Sequence, residues 1–160
     1  MSLNSITNSK IQSHKINRWF NAKGCNLFNY QVKTALEVFK DKDILVTSPT
    51  GSGKTIAGIL PTIIDSKNFL KNTLYTLYIS PLKSLSYDIE RNLLKPINEL
   101  NLNISISVRT GDTSSYKKSL LLKKPPNILV TTPESFALLM SYQNVEGYFK
   151  NLKYLIIDEL

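Results

Sequence analysis

Apolar positions recur along this chain in two alternating rhythms. In "YQVKTALEVFK" (30–40), Val32, Ala35, Leu36 and Phe39 fall at the i, i+3, i+4, i+7 spacing that puts side chains on one face of a helix. "INRWFNA" (16–22) reads as a helix before it. "DILVT" (43–47) is a short apolar run that predicts a buried strand. Ile56, Ile59, Leu60 and Ile63 return to helical spacing, with Pro61 expected to kink the helix. "LYTLYIS" (74–80) predicts a second strand. "LKSLSYDIERNLL" (82–94) predicts a helix that turns Leu82, Leu85, Ile89 and Leu93 inward and is ended by Pro96. "ISISV" (104–108) is a third strand, "YKKSLLLKK" (116–124) a short helix closed by Pro125 and Pro126, and "NILVT" (127–131) a fourth strand. "PESFALLMS" (133–141) is a helix and "KYLIID" (153–158) a fifth strand.

Several of these strands are nearly unbroken apolar runs, and they alternate with helices. That pattern predicts an α/β fold with a parallel sheet covered by helices on both faces. Right-handed crossovers then carry the strands' C-terminal ends to one edge, where ligands bind. No repeat or low-complexity linker interrupts the order, and 160 residues suffice for one core.

The sharpest chemical signal is "TSPTGSGKT" (47–55), between an expected strand and an expected helix. The first N–H groups of a helix have no intrahelical partner and carry partial positive charge, so they attract phosphate. Gly51 and Gly53 let the backbone curl around such an anion. Ser48, Pro49, Thr50, Gly51, Ser52, Gly53, Lys54 and Thr55 together form the expected cradle for a triphosphate. Lys54 reaches its outer phosphates and the Thr55 hydroxyl binds Mg2+. Ser48 stands where this pattern begins with glycine. The strand "YLII" delivers Asp158 and Glu159 at its exposed end. Asp158 is expected to hold Mg2+, and Glu159 to polarise the attacking water.

Composition adds two things. The net charge of +8 and a pI near 9.5 suit a polyanionic partner such as nucleic acid, although a Lys-, Asn- and Ile-rich chain from an AT-rich genome would show the same bias. One cysteine, Cys25, excludes an internal disulfide, and the lone His14 is given no role. No apolar run is long enough to span a bilayer, and "MSLNSITNSK" lacks the apolar segment of a signal peptide. The expectation is a cytoplasmic protein with no membrane partner.

In order along the chain stand "YQVKTALEVF", "SPTGSGKT", "YISPLKSLSYDIERNL", "VRTGDTS", "PPNILVTTPESFALLM" and "YLIIDEL". This series resembles the first RecA-like domain of superfamily-two DEAD/DExH-type helicases, and most closely the large helicase-related (Lhr) family. The resemblance covers residues 16 to 160, after a polar N-terminal segment (1–15). It implies that Gln31 reads the adenine of ATP by a two-point hydrogen bond. It also implies that Pro81, Lys83, Arg109, Thr110, Gly111 and Thr132 meet the backbone of single-stranded DNA or RNA. Asp112 is read as a turn residue. Thr132-Pro133 is also a good helix start; if the helix begins one residue earlier, Thr131 and Glu134 fit a capping box.

The family continues with a histidine after the position of Leu160, then a further strand and a second RecA-like domain. The fold is therefore expected to be C-terminally incomplete, with that second domain required in cis or in trans. The further strand would lie between the cradle strand and the Asp158 strand, so its lack predicts a gap or an altered pairing. The implied function is the front part of an ATP-dependent helicase or translocase, crippled in isolation. The alternative is a non-catalytic remnant that binds nucleotide or nucleic acid weakly. A small-molecule kinase or GTPase would need a lid or an N-K-x-D stretch, and neither is found.

Overall fold

A computed structural model describes Asn8, Ile11 and residues 14–159. Most of the polar segment 1–15, and Leu160, lie outside the described residues. The chain divides into two compact units, Met1–Asp65 and Ser66–Leu160.

The first unit is helical. Helix α1 (Lys15–Ala22) is capped by His14, whose Nδ1 accepts from the Ile16 N–H at 3.2 Å. Helix α2 (Asn29–Val38) buries Gln31, Val32 and Ala35, and it packs against helix α3 (Lys54–Asp65). The expected strand at 43–47 does not form: no strand is present there, Leu45 is 76% exposed, and Ile44 is exposed as well. A strand exists only through its ladder. Among the described residues this run has no ladder partner, so its apolar character alone does not make it a strand. The same four residues, Ile-Leu-Val-Thr, recur at 128–131 and there form a fully buried strand.

The second unit opens with a short 3-10 turn (Ser66–Asn68) and carries a four-stranded parallel sheet. Its elements are β1 (Thr76–Ile79), α4 (Lys83–Glu99), β2 (Ile106–Arg109), α5 (Ser115–Lys123), β3 (Ile128–Thr131), α6 (Pro133–Met140), α7 (Glu146–Phe149) and β4 (Tyr154–Ile157). The spatial order is β2-β3-β1-β4. The crossover from β1 to β2 runs one way along the sheet, and those from β2 to β3 and β3 to β4 run the other. With right-handed connections, α4 therefore covers one face and α5, α6 and α7 the opposite one. Packing agrees. Leu77, Ile79 and Leu129 form a core with Leu121 of α5 and Leu139 of α6, flanked by Tyr148 and Phe149 of α7. Helix α4 packs on β2 and β3 and buries Ile89, Leu93 and Ile97.

Two expectations for α4 are corrected. Leu82 precedes the helix and is 56% exposed, so it does not face inward. Pro96 lies inside the helix rather than ending it. Proline gives up its own N–H bond and crowds the carbonyl one turn back, and here burial of the ring accompanies that cost. Helix α7 has too few residues to show periodicity and was not expected.

At the amino edge of the sheet, buried Asn127 ties three segments together. Its Oδ1 accepts from the Ser105 N–H (2.9 Å) and hydroxyl (3.0 Å), and its Nδ2 donates to the carbonyls of Leu70 (2.8 Å) and Thr73 (3.0 Å). The register aligns Ile79 with Thr131 and Ile157, and Thr131 with Arg109. All four strands therefore end level, and the residues that follow them share the carboxyl edge.

Candidate nucleotide cradle and nucleic-acid face

In the first unit, residues 48–55 curl tightly. Gly51 (φ 75°) and Gly53 (φ 90°) both take left-handed backbone, the conformation expected of a loop curled around an anion. The Ser48 and Ser52 hydroxyls lie 2.7 Å apart, and Ser52 Oγ also donates to the Pro49 carbonyl at 2.7 Å. The Lys54 ammonium crosses the loop, donating to the carbonyls of Ser48 (2.6 Å) and Pro49 (2.9 Å). Lys54 and Thr55 begin α3. The Ala57 N–H bonds back to the Gly53 carbonyl, so the amides before it belong to the first turn and lack intrahelical acceptors.

Two residues of α2 brace this loop. Gln31, 3% exposed, donates from Nε2 to the Gly53 carbonyl (3.0 Å) and accepts the Phe28 N–H on Oε1 (2.9 Å). The Tyr30 hydroxyl donates to the Ser52 carbonyl at 2.6 Å. A carboxamide has two donors and two acceptor lone pairs, so each end of Gln31 keeps one site for a further partner.

In the second unit, the carboxyl edge gathers four of the stretches named above. Pro81 and Lys83 follow β1, Thr110 and Gly111 follow β2, Thr132 follows β3, and Asp158 and Glu159 follow β4. Lys83 Nζ pairs with Asp112 Oδ1 at 2.6 Å, which joins the first two loops, and Lys118 Nζ donates to the Gly111 carbonyl at 3.0 Å. Thr132 caps α6, its Oγ accepting from the Ser135 N–H at 3.4 Å, with Pro133 as the first helical residue; the register starting at Thr131 is not used. Glu134 is held below the usual carboxylate range by its own backbone N–H and the Thr132 hydroxyl, with a smaller contribution from the Lys83 charge. Lys83 and Gly111 are exposed and Pro81 is half-buried, whereas Thr110 and Thr132 are buried.

Arg109 is 2% exposed and lies inside the second unit. Its Nη1 donates to the Ser135 carbonyl at 2.6 Å, and its guanidinium sits 5.8 Å from the centre of the Tyr142 ring. In this position it anchors the first turns of α6 instead of facing solvent. Asp158 is half-buried, and the hydroxyl of Tyr78 donates to its Oδ2 at 2.8 Å. Glu159 follows in left-handed backbone (φ 53°). No cluster of three or more His, Cys, Asp or Glu suited to a metal occurs among the described residues. Mg2+ is usually held by one or two carboxylates together with water and substrate phosphates, a part for which the Asp158 carboxylate, with one oxygen bonded by Tyr78, has the right chemistry.

The DEAD/DEAH box helicase family model matches residues 28–160. The chain belongs to this family. As a DEAD/DEAH-box chain it is 43% identical to the ATP-dependent helicase Lhr-Core of Sulfolobus acidocaldarius, over all of this chain and 20% of that protein. Its fold matches the Mycobacterium smegmatis helicase Lhr bound to ssDNA and AMP-PNP with a TM-score of 0.79 and 28% identity, covering 92% of this chain and 20% of that one. The DEAD-box helicase Mss116, bound to ssRNA and UDP-BeF, matches with a TM-score of 0.77 at 20% identity, over 98% of this chain and 33% of that one; this likeness shows the shared RecA-like fold alone. The chain thus spans about a fifth of the length of its Lhr relatives. No helix among its described residues is long and apolar enough to cross a membrane.

Two side-chain contacts, one in each unit, escape a reading of the sequence. Tyr30 precedes Gln31 and looks like any helical aromatic residue. Tyr78 sits within an apolar strand, and only the register of β1 against β4 shows that it lies on the same face as Asp158.

Proposed function

We propose that this chain supplies the ATP-binding first RecA-like domain of a nucleic-acid helicase or translocase of the Lhr type. The observation that carries the reading is the double left-handed curl at Gly51 and Gly53, with the Lys54 ammonium held across the loop at the start of α3. Triphosphate binding would exchange the two carbonyl contacts of Lys54 for phosphate oxygens, which hold an ammonium more strongly because the bond is charge-assisted on both sides. Gln31 keeps the capacity to meet adenine with its remaining N–H and lone pair. Thr55 and Asp158 are the residues we assign to Mg2+, which when bound neutralises charge on the phosphates. Glu159 is assigned to orienting the attacking water.

Lys83, Gly111 and Pro81 present the reachable part of a backbone-binding edge for single-stranded DNA or RNA. Thr110, and Thr132 through the α6 N-terminus, support it. Arg109 enters by fixing α6 rather than by direct phosphate contact.

The test is binding of a fluorescent ATP analogue to wild type and Lys54→Ala, together with ATP turnover with and without single-stranded oligonucleotide. The expected result is a loss of binding of about 10-fold or more in the variant, with a matching loss of any ATP turnover. Equal affinity in both proteins would remove the cradle assignment.

A further inference from the structure

Tyr78 is 1% exposed, yet its hydroxyl crosses to the neighbouring strand and donates to Asp158 Oδ2 at 2.8 Å. The parallel register explains the reach. Tyr78 pairs with Ile156, so Tyr78, Ile156 and Asp158 all project on the face that α4 covers. Asp158 lies two residues beyond the paired position, which is within the span of a tyrosine side chain. A carboxylate at the end of a strand, just outside the sheet, can otherwise rotate freely about χ1 and χ2. A hydrogen bond from a buried, packed phenol selects one rotamer. It occupies Oδ2 and leaves Oδ1 available.

We propose that Tyr78 is a positioning residue that pre-orients the Asp158 carboxylate for Mg2+ on the nucleotide. This rests on the assignment of Asp158 given above. The ring of Tyr78 serves the core, and its hydroxyl serves the site. Partners that orient a metal ligand typically change metal affinity by about 10–100-fold when removed, and a single exposed-edge carboxylate places Tyr78 near the lower end.

The experiment uses the full chain and measures affinity for N-methylanthraniloyl-ATP as a function of Mg2+ concentration and in EDTA. The proteins are wild type, Tyr78→Phe, Asp158→Ala and the double variant, and thermal unfolding of each is recorded. Tyr78→Phe keeps the ring and gives up its hydroxyl contacts, so the melting temperature should fall by no more than several degrees. The Mg2+ concentration giving half of the affinity gain should rise about 10-fold, with affinity in EDTA unchanged. Asp158→Ala should abolish the Mg2+-dependent gain, and adding Tyr78→Phe to it should change nothing further. A Tyr78→Phe protein with wild-type Mg2+ dependence, beside an Asp158→Ala protein that has lost it, overturns the proposal alone. Equal weakening with Mg2+ and in EDTA reduces Tyr78 to a packing role and also overturns it. If Asp158→Ala keeps the full Mg2+ gain, the Asp158 assignment fails, and the role of Tyr78 falls with it.

Discussion

Gly51 and Gly53 sit two residues apart in the same loop, but the structure gives them different costs for a methyl group. Both have positive φ, so alanine at either position enters left-handed backbone at a cost of about 1–2 kcal/mol. A Cβ on Gly51 would meet nothing within 4 Å. A Cβ on Gly53 would lie 2.5 Å from Gln31 Nε2. That amide is the far end of a flexible side chain, so it yields, and the added cost is the bond it gives up to the Gly53 carbonyl, about 1 kcal/mol. Gly51→Ala should therefore cost about 1–2 kcal/mol, and Gly53→Ala about 2–3 kcal/mol. Trp19, the single tryptophan, lies in α1 of the same unit, so urea unfolding followed by its fluorescence reports on this region. The excess of Gly53→Ala over Gly51→Ala should vanish when both are placed in a Gln31→Ala background, as a double-mutant cycle requires for a direct contact. An excess that persists without Gln31, or equal costs in the wild-type background, would refute the bracing role given to Gln31.

Other consequences are as concrete. Asn127→Ala removes four hydrogen bonds at the amino edge of the sheet and should lower stability by about 4 kcal/mol in urea titrations, at about 1 kcal/mol for each bond. The Tyr148 hydroxyl is buried without a hydrogen-bond partner among the described residues, so Tyr148→Phe should leave stability at pH 7 unchanged or raise it by up to about 1 kcal/mol. Burial pushes the Tyr148 phenol up to about 12, against an opposing pull from Arg109. Its contribution is thus complete below about pH 10, where the unfolded phenol ionises, and is lost as pH rises through about 12. Thermal melts in that window should decline less steeply for Tyr148→Phe. Lys83 and Asp112 form an exposed pair worth at most about 1 kcal/mol, so Asp112→Asn should barely move stability. It should tighten single-strand binding at low salt by a few-fold, whereas Lys83→Ala should weaken binding and reduce the salt slope by about one.

Most of the second unit was legible because its strands are apolar runs whose fate is set by helices on both sides. "NILVT" became β3 with Ile128, Leu129 and Val130 fully buried, because β1 and β2 flank it. "DILVT" carries the same core residues and remained without a ladder. No local rule separates the two, since strand formation is decided by neighbours distant in sequence. Pro96 misled for a related reason: propensity prices the missing N–H, and packing around the buried ring outweighs it. The tight curl at Gly51 and Gly53 could be read from spacing, because a loop of this kind is encoded in contiguous residues. The burial of Arg109 could not, because it depends on where α6 places the Ser135 carbonyl. His14 as a helix cap, and the tyrosines at 30 and 78, likewise acquire their roles only from three-dimensional neighbours.

The level ending of the four strands has a practical outcome. The fastening centred on Asn127 is at one rim of the sheet, and Lys83, Gly111 and Asp158 are at the other, a strand's length away. The bonds that tie the sheet and the loops proposed to meet ligands thus lie at opposite poles of the second unit. If that proposal holds, substitutions in the carboxyl-rim loops should change grip without loosening the sheet, and reinforcement of the amino rim should harden the unit without altering binding.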